Sequence, residues 1–379
     1  MEKNWKVCVY AICKNEMKFL DKWLDSMSEA DYVVVLDTGS TDGSYEFLKN
    51  DARCTRVEQE VISPWRFDVA RNKSMELVPE DTDIYVCTDP DELFDKGWCK
   101  TLKERWTEDA DRGFYTYAWN HDPSGAPMNV FKYDKIHTKD YVWKYPVHEV
   151  LWPIKKDLGE QVGIQFGEDI YLHHWQDLTK DRRSYLDILK VAVAENPGDC
   201  HIFHLYAREH LLQKKYLEAK RLFIKLILMK NIDLPIYGEV KLDSFLMLAE
   251  LSIINEDYDE AIYWAKEFIK TNNSFREPYL VIANVYNMCS ESANAKRILD
   301  MMDENCKVRH YSWVEKSANW SYMRDVILGD AMYGLGNYAE ALKCINVALK
   351  HEPDNISFLK RKVSCLEHLQ NLKNSIQGE

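Results

Sequence analysis

Between Trp5 and Cys87 the chain sets out four short apolar runs separated by three stretches whose apolar residues recur at helical spacing. This alternation is the strongest constraint on what the chain can become. Trp5–Ile12, Tyr32–Leu36, Arg56–Ile62 and Ile84–Cys87 read as strands, and the Val/Leu run at 32–36 suits a strand buried on both faces. Glu16–Met27, Ser44–Lys49 and Phe67–Val78 read as helices, the first with Met17, Leu20, Trp23, Leu24 and Met27 on one face. Strand and helix in that order predict an α/β domain with a parallel sheet covered on both sides. Such sheets bind ligands beyond the carboxyl ends of their strands. Two acidic segments fall there: Asp37-Thr38-Gly39-Ser40-Thr41-Asp42-Gly43 and Thr88-Asp89-Pro90-Asp91-Glu92.

The pattern then changes twice. Phe114–Trp119, Val130–Tyr133, Tyr141–Trp143 and Ile170–His174 are aromatic-rich and strand-like, and predict an antiparallel addition to the same domain. After Asp177 the chain reads as helical almost to its end. Tyr216-Leu217-Glu218-Ala219, Tyr258-Asp259-Glu260-Ala261 and Tyr338-Ala339-Glu340-Ala341 share one form, and Ser292-Ala293-Asn294-Ala295 is a degenerate copy. The copies begin 42, 34 and 46 residues apart. A period of 34 residues with this offset resembles the tetratricopeptide repeat, a helix–turn–helix unit. The expected division is residues 1–178 for the α/β domain and 179–379 for an all-α, tetratricopeptide-repeat-like domain.

Composition narrows the function. The net charge of -13 argues against a nucleic-acid binder, which carries a basic face. No apolar run is long enough to span a bilayer, and Met1–Asn4 leads straight into a strand with no secretory h-region. The ten cysteines include no C-x-x-C pair, which fits reduced thiols and a cytoplasmic location.

Asp89-Pro90-Asp91 places two carboxylates one residue apart at a strand end. Together they can face one Mg²⁺ or Mn²⁺, which would bridge an acidic protein to a diphosphate. Alone, a D-x-D is equally a helix-capping or turn signal. Asp37 can accept hydrogen bonds from a base or ribose, with Gly39 allowing close approach, and Asp42 either does the same or caps the next helix. Asn15-Glu16 ends the first strand. In Trp65-Arg66-Phe67-Asp68-Val69-Ala70-Arg71-Asn72, Arg71 can reach phosphate with Asp68 orienting it, or the two form an ordinary i,i+3 ion pair. His201 and His204, one helical turn apart without a carboxylate neighbour in sequence, read as a satisfied helix face.

Taken together, residues 7–95 resemble the family 2 glycosyltransferases of GT-A fold (Rossmann-like nucleotide-diphospho-sugar transferases). The resemblance rests on Lys14-Asn15-Glu16, Val35–Gly43, Phe67–Asn72 and Asp89–Glu92, in that order and spacing. It implies a nucleotide-sugar site drawn from Asn15, Glu16, Asp37, Ser40, Asp42, Asp68, Arg71, Asn72 and Asp89. It also implies a divalent cation at Asp89 and Asp91. Pro146-Val147-His148-Glu149, Leu172-His173-His174-Trp175 and Leu205–His210 extend the likeness to one branch: bacterial glycosyltransferases with C-terminal tetratricopeptide repeats, including peptide S-glycosyltransferases of glycocin pathways.

From this resemblance follow an inverting transfer from a nucleotide-sugar, UDP-sugar foremost, to a peptide, protein or glycan. His148 and Glu149 are the candidate bases, with Glu92 or Asp91 also open. His173 or His174 completes the metal shell, since strand alternation turns only one of them to the site, and His173 aligns better with the branch motif. The repeats would hold the acceptor or make a homodimer. The competing reading is a non-catalytic, nucleotide-sensing scaffold. A nucleotidyltransferase fits less well, because residues 7–20 contain no glycine for a phosphate loop.

Overall fold

The computed structural model describes residues 4–122, 124–177 and 185–377. The chain divides into two compact units, Met1–Pro197 and Gly198–Glu379. The expected 178/179 boundary lies outside the described residues.

In the first unit, β1 (Val7–Cys13) runs parallel to β2 (Tyr32–Asp37) on one side. On the sheet's outer edge lies β3 (Arg56–Gln59), parallel to β2, and β4 (Ile84–Cys87) is parallel to β1 on the inner side. β5 (Glu92–Phe94), β6 (Arg112–His121), β7 (Pro127–His137) and β10 (Gly163–His174) extend the sheet to the order β3-β2-β1-β4-β7-β6-β10-β5. β8 (Tyr141–Lys144) and β9 (Val150–Pro153) form a separate ribbon. The parallel half is therefore joined to a mixed half through the antiparallel β4–β7 pair.

Strand parity sorts the core. Val7, Val9 and Ala11 enter one apolar cluster with Val33 and Val35, while Cys8 and Tyr10 enter another with Val34 and Leu36. Helix α1 (Met17–Met27) covers the first cluster with Leu20, Trp23, Leu24 and Met27, whereas Met17, read on the same face, is exposed in the helix's first turn. Opposite, α3 (Phe67–Met75) and the β8–β9 ribbon close the second cluster, and the Asn72 amide exchanges two 2.9 Å hydrogen bonds with the Trp143 backbone. β3 is shorter than the expected Arg56–Ile62. Its partner β2 ends at Asp37, opposite Gln59, so no backbone remains for it to pair with. The remaining helices are α2 (Ser44–Asn50), α4 (Trp98–Arg105) and α5 (Tyr185–Glu195). The sequence reading put α5 with the repeats. It groups with the first unit, where Tyr185 meets the Phe67 ring and Glu195 pairs with Arg66 at 2.7 Å.

The second unit is helical. α6 (Cys200–Leu212) pairs with α7 (Tyr216–Ile227), α8 (Gly238–Ile254) with α9 (Tyr258–Thr271), and α10 (Glu277–Met288) with α11 (Ser292–Asn305). After the short α12 (Ser317–Ser321), α13 (Met323–Gly334) pairs with α14 (Tyr338–His351), and α15 (Ile356–Gln377) follows. Each motif copy opens the second helix of a pair, and its alanine (Ala219, Ala261, Ala295, Ala341) is wholly buried. The turn before each copy is the same. Lys214, Glu256, Ser290 and Gly336 have φ of 59°, 59°, 62° and 75°, and the next residue donates its N–H five residues back. That is the Schellman termination, which satisfies carbonyls left open at the helix end. The 46-residue spacing before the last copy comes from segment 306–316. This segment is packed rather than loose: Val314 is buried among Leu242, Phe245 and Phe275, and the Trp313 ring lies 5.5 Å from that of His204. His204 finds its carboxylate far along the chain, in Asp243 at 2.7 Å.

Candidate active site

The carboxyl ends of β1, β2 and β4 open onto a cavity of about 1040 Å³, walled also by the start of α3 and by α5. Asn15, Glu16, Arg71, Asp89, Asp91 and His174 all line it. The loops that shape it are tied to each other. Asn15 accepts from the Thr41 N–H (2.7 Å) and donates its own N–H to Ser40 Oγ (2.8 Å). Asp42 receives the N–H groups of Met17 and Ser44, and so braces the starts of α1 and α2. Gly39 has φ +101°, and a Cβ there would meet Val61 at 3.0 Å, so the turn requires glycine. Asp37 is fully buried at the end of β2. Its Oδ1 accepts from the N–H groups of Gly39 and Ser40 and from Gln59, while its Oδ2 has no hydrogen-bond partner.

From the cavity wall an ion network runs into the core. Arg71 donates to Glu149 Oε1 (2.9 Å) and to Asp89 Oδ1 (2.8 Å), with its guanidinium over the Trp143 ring. Lys135 approaches Asp89 at 3.4 Å and Glu92 at 3.8 Å. Burial alone would raise the Asp89 pKa, but the charges of Arg71 and Lys135 outweigh it and hold the carboxyl well below its usual range. For Glu92 burial prevails and the pKa is raised, although Lys135 opposes it. Glu92 is further fixed by the Tyr117 hydroxyl (2.9 Å) and the Asp89 N–H (2.9 Å).

This geometry revises several expectations. Asp68 does not orient Arg71. It chelates Arg66 through both oxygens (3.1 and 2.8 Å), because at the first turn of α3 it faces back toward the preceding residues. Asn72 spends its amide on the Trp143 backbone, and Asp42 accepts from the backbone of Met17 and Ser44 and from the Ser44 hydroxyl. Glu149 is committed to Arg71. His148, at φ 51°, is exposed beside the Tyr185 ring.

Strand alternation does divide the two histidines, but His174 is the one that faces the cavity, with Nε2 3.4 Å from Asp91. His173 points the other way, to His121 (2.8 Å) and Asp95 (3.5 Å). Burial would lower the His174 pKa, yet hydrogen bonding to Asp91 and the surrounding carboxylates raise it.

Asp91 and His174 offer a carboxylate oxygen and an imidazole nitrogen side by side. Among the described residues, no three His, Cys, Asp or Glu side chains are grouped to hold a metal ion. Two such donors would suit a divalent cation only with further oxygen ligands from elsewhere.

Residues 8–145 match the model for glycosyl transferase family 2. The N-terminal unit is a family 2 glycosyltransferase domain. Residues 326–355, spanning most of the α13–α14 pair, match the tetratricopeptide repeat. Solved structures similar to the chain include MamA (14% identity, covering 45% of this chain and 83% of that one, TM-score 0.34). Pseudomonas aeruginosa PilF (12%, 47% and 72%, 0.37) and the tetratricopeptide-repeat protein YrrB (16%, 47% and 81%, 0.35) are others. No curated protein matches. No helix among the described residues is long and apolar enough to cross a membrane.

Sequence reasoning missed Lys135 as a member of this ion network. A signal was present for Lys135. Phe131, Tyr133 and His137 share one parity along β7, and a lysine on that aromatic row must find buried acids.

Proposed function

We propose that the transferase domain moves a sugar from a UDP-sugar to an acceptor nucleophile with inversion, assisted by a divalent cation. The observation that carries the donor assignment is Asp37. Its Oδ2 is buried without a donor beside the cavity-lining Thr38, and a base with a ring N–H, such as uracil, would supply one if the loop after β2 shifts to uncover it. Asp91 and His174 would hold the cation, and the imidazole nitrogen favours Mn²⁺ over Mg²⁺. When bound, the cation neutralises charge on the departing diphosphate.

Asp89 serves differently in this reading. It fixes Arg71 and Lys135 at the cavity's base, so that their positive field faces the phosphates. Of the groups considered for the acceptor's proton, Glu149 and Glu92 are held in ion pairs. With Asp91 given to the cation, this reading assigns the proton to His148, whose ring lies beside that of the cavity-lining Tyr185. The repeat unit would capture a protein partner or the acceptor.

Thermal melting of the full chain against a panel of nucleoside diphosphates, with and without Mn²⁺, tests the donor site. The expected result is Mn²⁺-dependent stabilisation by UDP that is lost in Asp91→Ala and weakened in Asp37→Asn. Metal-independent UDP binding would remove the cation from the scheme. A nucleotide shift without sugar release or transfer from any UDP-sugar would favour the nucleotide-sensing scaffold.

A further inference from the structure

A second cavity of about 780 Å³ shares Pro90, Asp91 and His174 with the first. Nothing in the donor scheme uses its other walls, which α1, the end of β6 and the residues after β10 supply. We infer that this cavity binds the acceptor, and that the acceptor is a neutral glycan whose terminal pyranose stacks on Trp175. The inference rests on the transferase reading for its chemistry, since a ligand there would meet the donor sugar at the Asp91–His174 wall.

Three features point to a glycan. The first is a rigid aromatic platform. The Trp175 indole is stacked on the His121 ring at 4.1 Å and 9°, its backbone N–H is bonded to the Asp91 carbonyl at 2.8 Å, and the residue remains 41% exposed. A ring braced on one side and open to solvent offers a flat apolar surface to the C–H face of a pyranose. The second is mixed hydrogen-bonding capacity. Asn120 uses its carbonyl on the Asn129 N–H and Gln176 uses its amide on the Trp119 carbonyl, so the cavity keeps one side-chain amide donor and one acceptor. Hydroxyl groups, which both donate and accept, match such a set. The third is charge. Lys18 is paired with Asp177 at 2.7 Å, and Asp91 and Asp122 stand in the same wall as Lys22, which leaves no cationic excess for a phosphate or polyanionic acceptor. A peptide is also less suited, because β5, the edge strand that contributes Leu93, spans only three residues and cannot template an extended chain.

The test uses the full chain saturated with UDP and Mn²⁺, with saturation-transfer NMR against maltotriose, cellotriose and chitotriose and against a Ser/Cys-containing peptide. At least one trisaccharide should give signal on its ring C–H protons, with affinity falling about tenfold or more in Trp175→Ala. The UDP-induced melting shift should be unchanged in that variant, which keeps its backbone N–H, and this checks that the fold and donor site survive. Trp175→Phe should retain most of the binding. Signal from no trisaccharide, signal indifferent to Trp175→Ala, or Trp175-dependent binding of the peptide alone would each overturn the inference. Loss of the UDP shift in the wild-type protein, with trisaccharide binding intact, would instead strike the transferase reading and leave the glycan site standing.

Discussion

Asp89 lies between the buried cations Arg71 and Lys135, whereas Asp91 faces His174 across 3.4 Å at the wall shared by the two cavities. The same residue type, two positions apart, is thereby given two jobs. Asp89→Asn takes one carboxylate from two buried cations, which keep Glu149 and Glu92, and should destabilise the transferase domain by about 3 kcal/mol. Asp91→Asn loses one charged hydrogen bond and should cost about 1–2 kcal/mol while abolishing Mn²⁺-dependent nucleotide binding. Urea unfolding beside nucleotide melting shifts separates the two, and equal stability losses would refute the division.

His137 gives a second test at this scale. Its Nδ1 donates to the Thr138 carbonyl (2.7 Å), so Nε2 accepts from the Tyr10 hydroxyl (2.7 Å), which in turn accepts from Trp143 Nε1 (2.9 Å). Burial holds its pKa down at about 3, against 6.5 for a free imidazole. A lowered folded pKa means stability present above pH 6.5 and lost as the pH falls toward 3, roughly 5 kcal/mol at most. Between pH 6.5 and 4 the urea midpoint of the wild type should therefore fall more steeply than that of His137→Gln. Parallel curves would mean that His137 is already protonated in the native state.

At the scale of the element, the four Schellman turns are chemically unequal. Only Gly336 adopts its left-handed φ freely. Lys214, Glu256 and Ser290 take theirs with a Cβ in place, which disfavours that conformation by about 1 kcal/mol. Replacing any one of them with glycine should stabilise the second unit by about 0.5 kcal/mol, the relief being partly offset by the freer unfolded chain. The effects should add across the three turns, since each closes a separate hairpin, and the triple variant's thermal midpoint reports the sum.

These turns also mark what the sequence could reveal. The Y-x-E-A copies located the second helix of each pair because the buried alanine and the helix start impose a local pattern. Segment 306–316 was legible only as extra length. Its packing rests on contacts such as Trp313 with His204, more than a hundred residues apart, which no periodicity encodes. The parallel strands were legible for the first reason, and the order β7-β6-β10-β5 was not, because its pairings are long-range. In the site, the motifs brought Asn15, Glu16, Arg71, Asp89 and Asp91 to one cavity. The choice of His174 over His173, and of Arg66 over Arg71 as the partner of Asp68, depended on side-chain direction that spacing leaves undetermined.

Over the whole molecule, each compact unit has its own apolar clusters. Val7, Trp23 and Leu172 belong to one in the first unit, and Ala249, Tyr279 and Leu299 to one in the second. A unit with its own core can fold alone. Residues 198–379 made separately should give a helical spectrum and a single cooperative urea transition, and residues 1–197 should keep the UDP melting shift, since both cavities are lined from that unit. Kinetics of the 1–197 fragment then decide what the repeats contribute. If they hold the acceptor, the fragment will release UDP from donor at the rate of the full chain, but its acceptor KM will rise with kcat little changed, because binding remote from the reacting atoms is lost. Supplying residues 198–379 as a separate chain would not restore the KM, because the gain depends on a high local concentration of captured acceptor. If instead acceptor KM and kcat both match those of the full chain, the repeats serve another partner. Light scattering of residues 198–379 then shows whether that partner is a second copy of the protein.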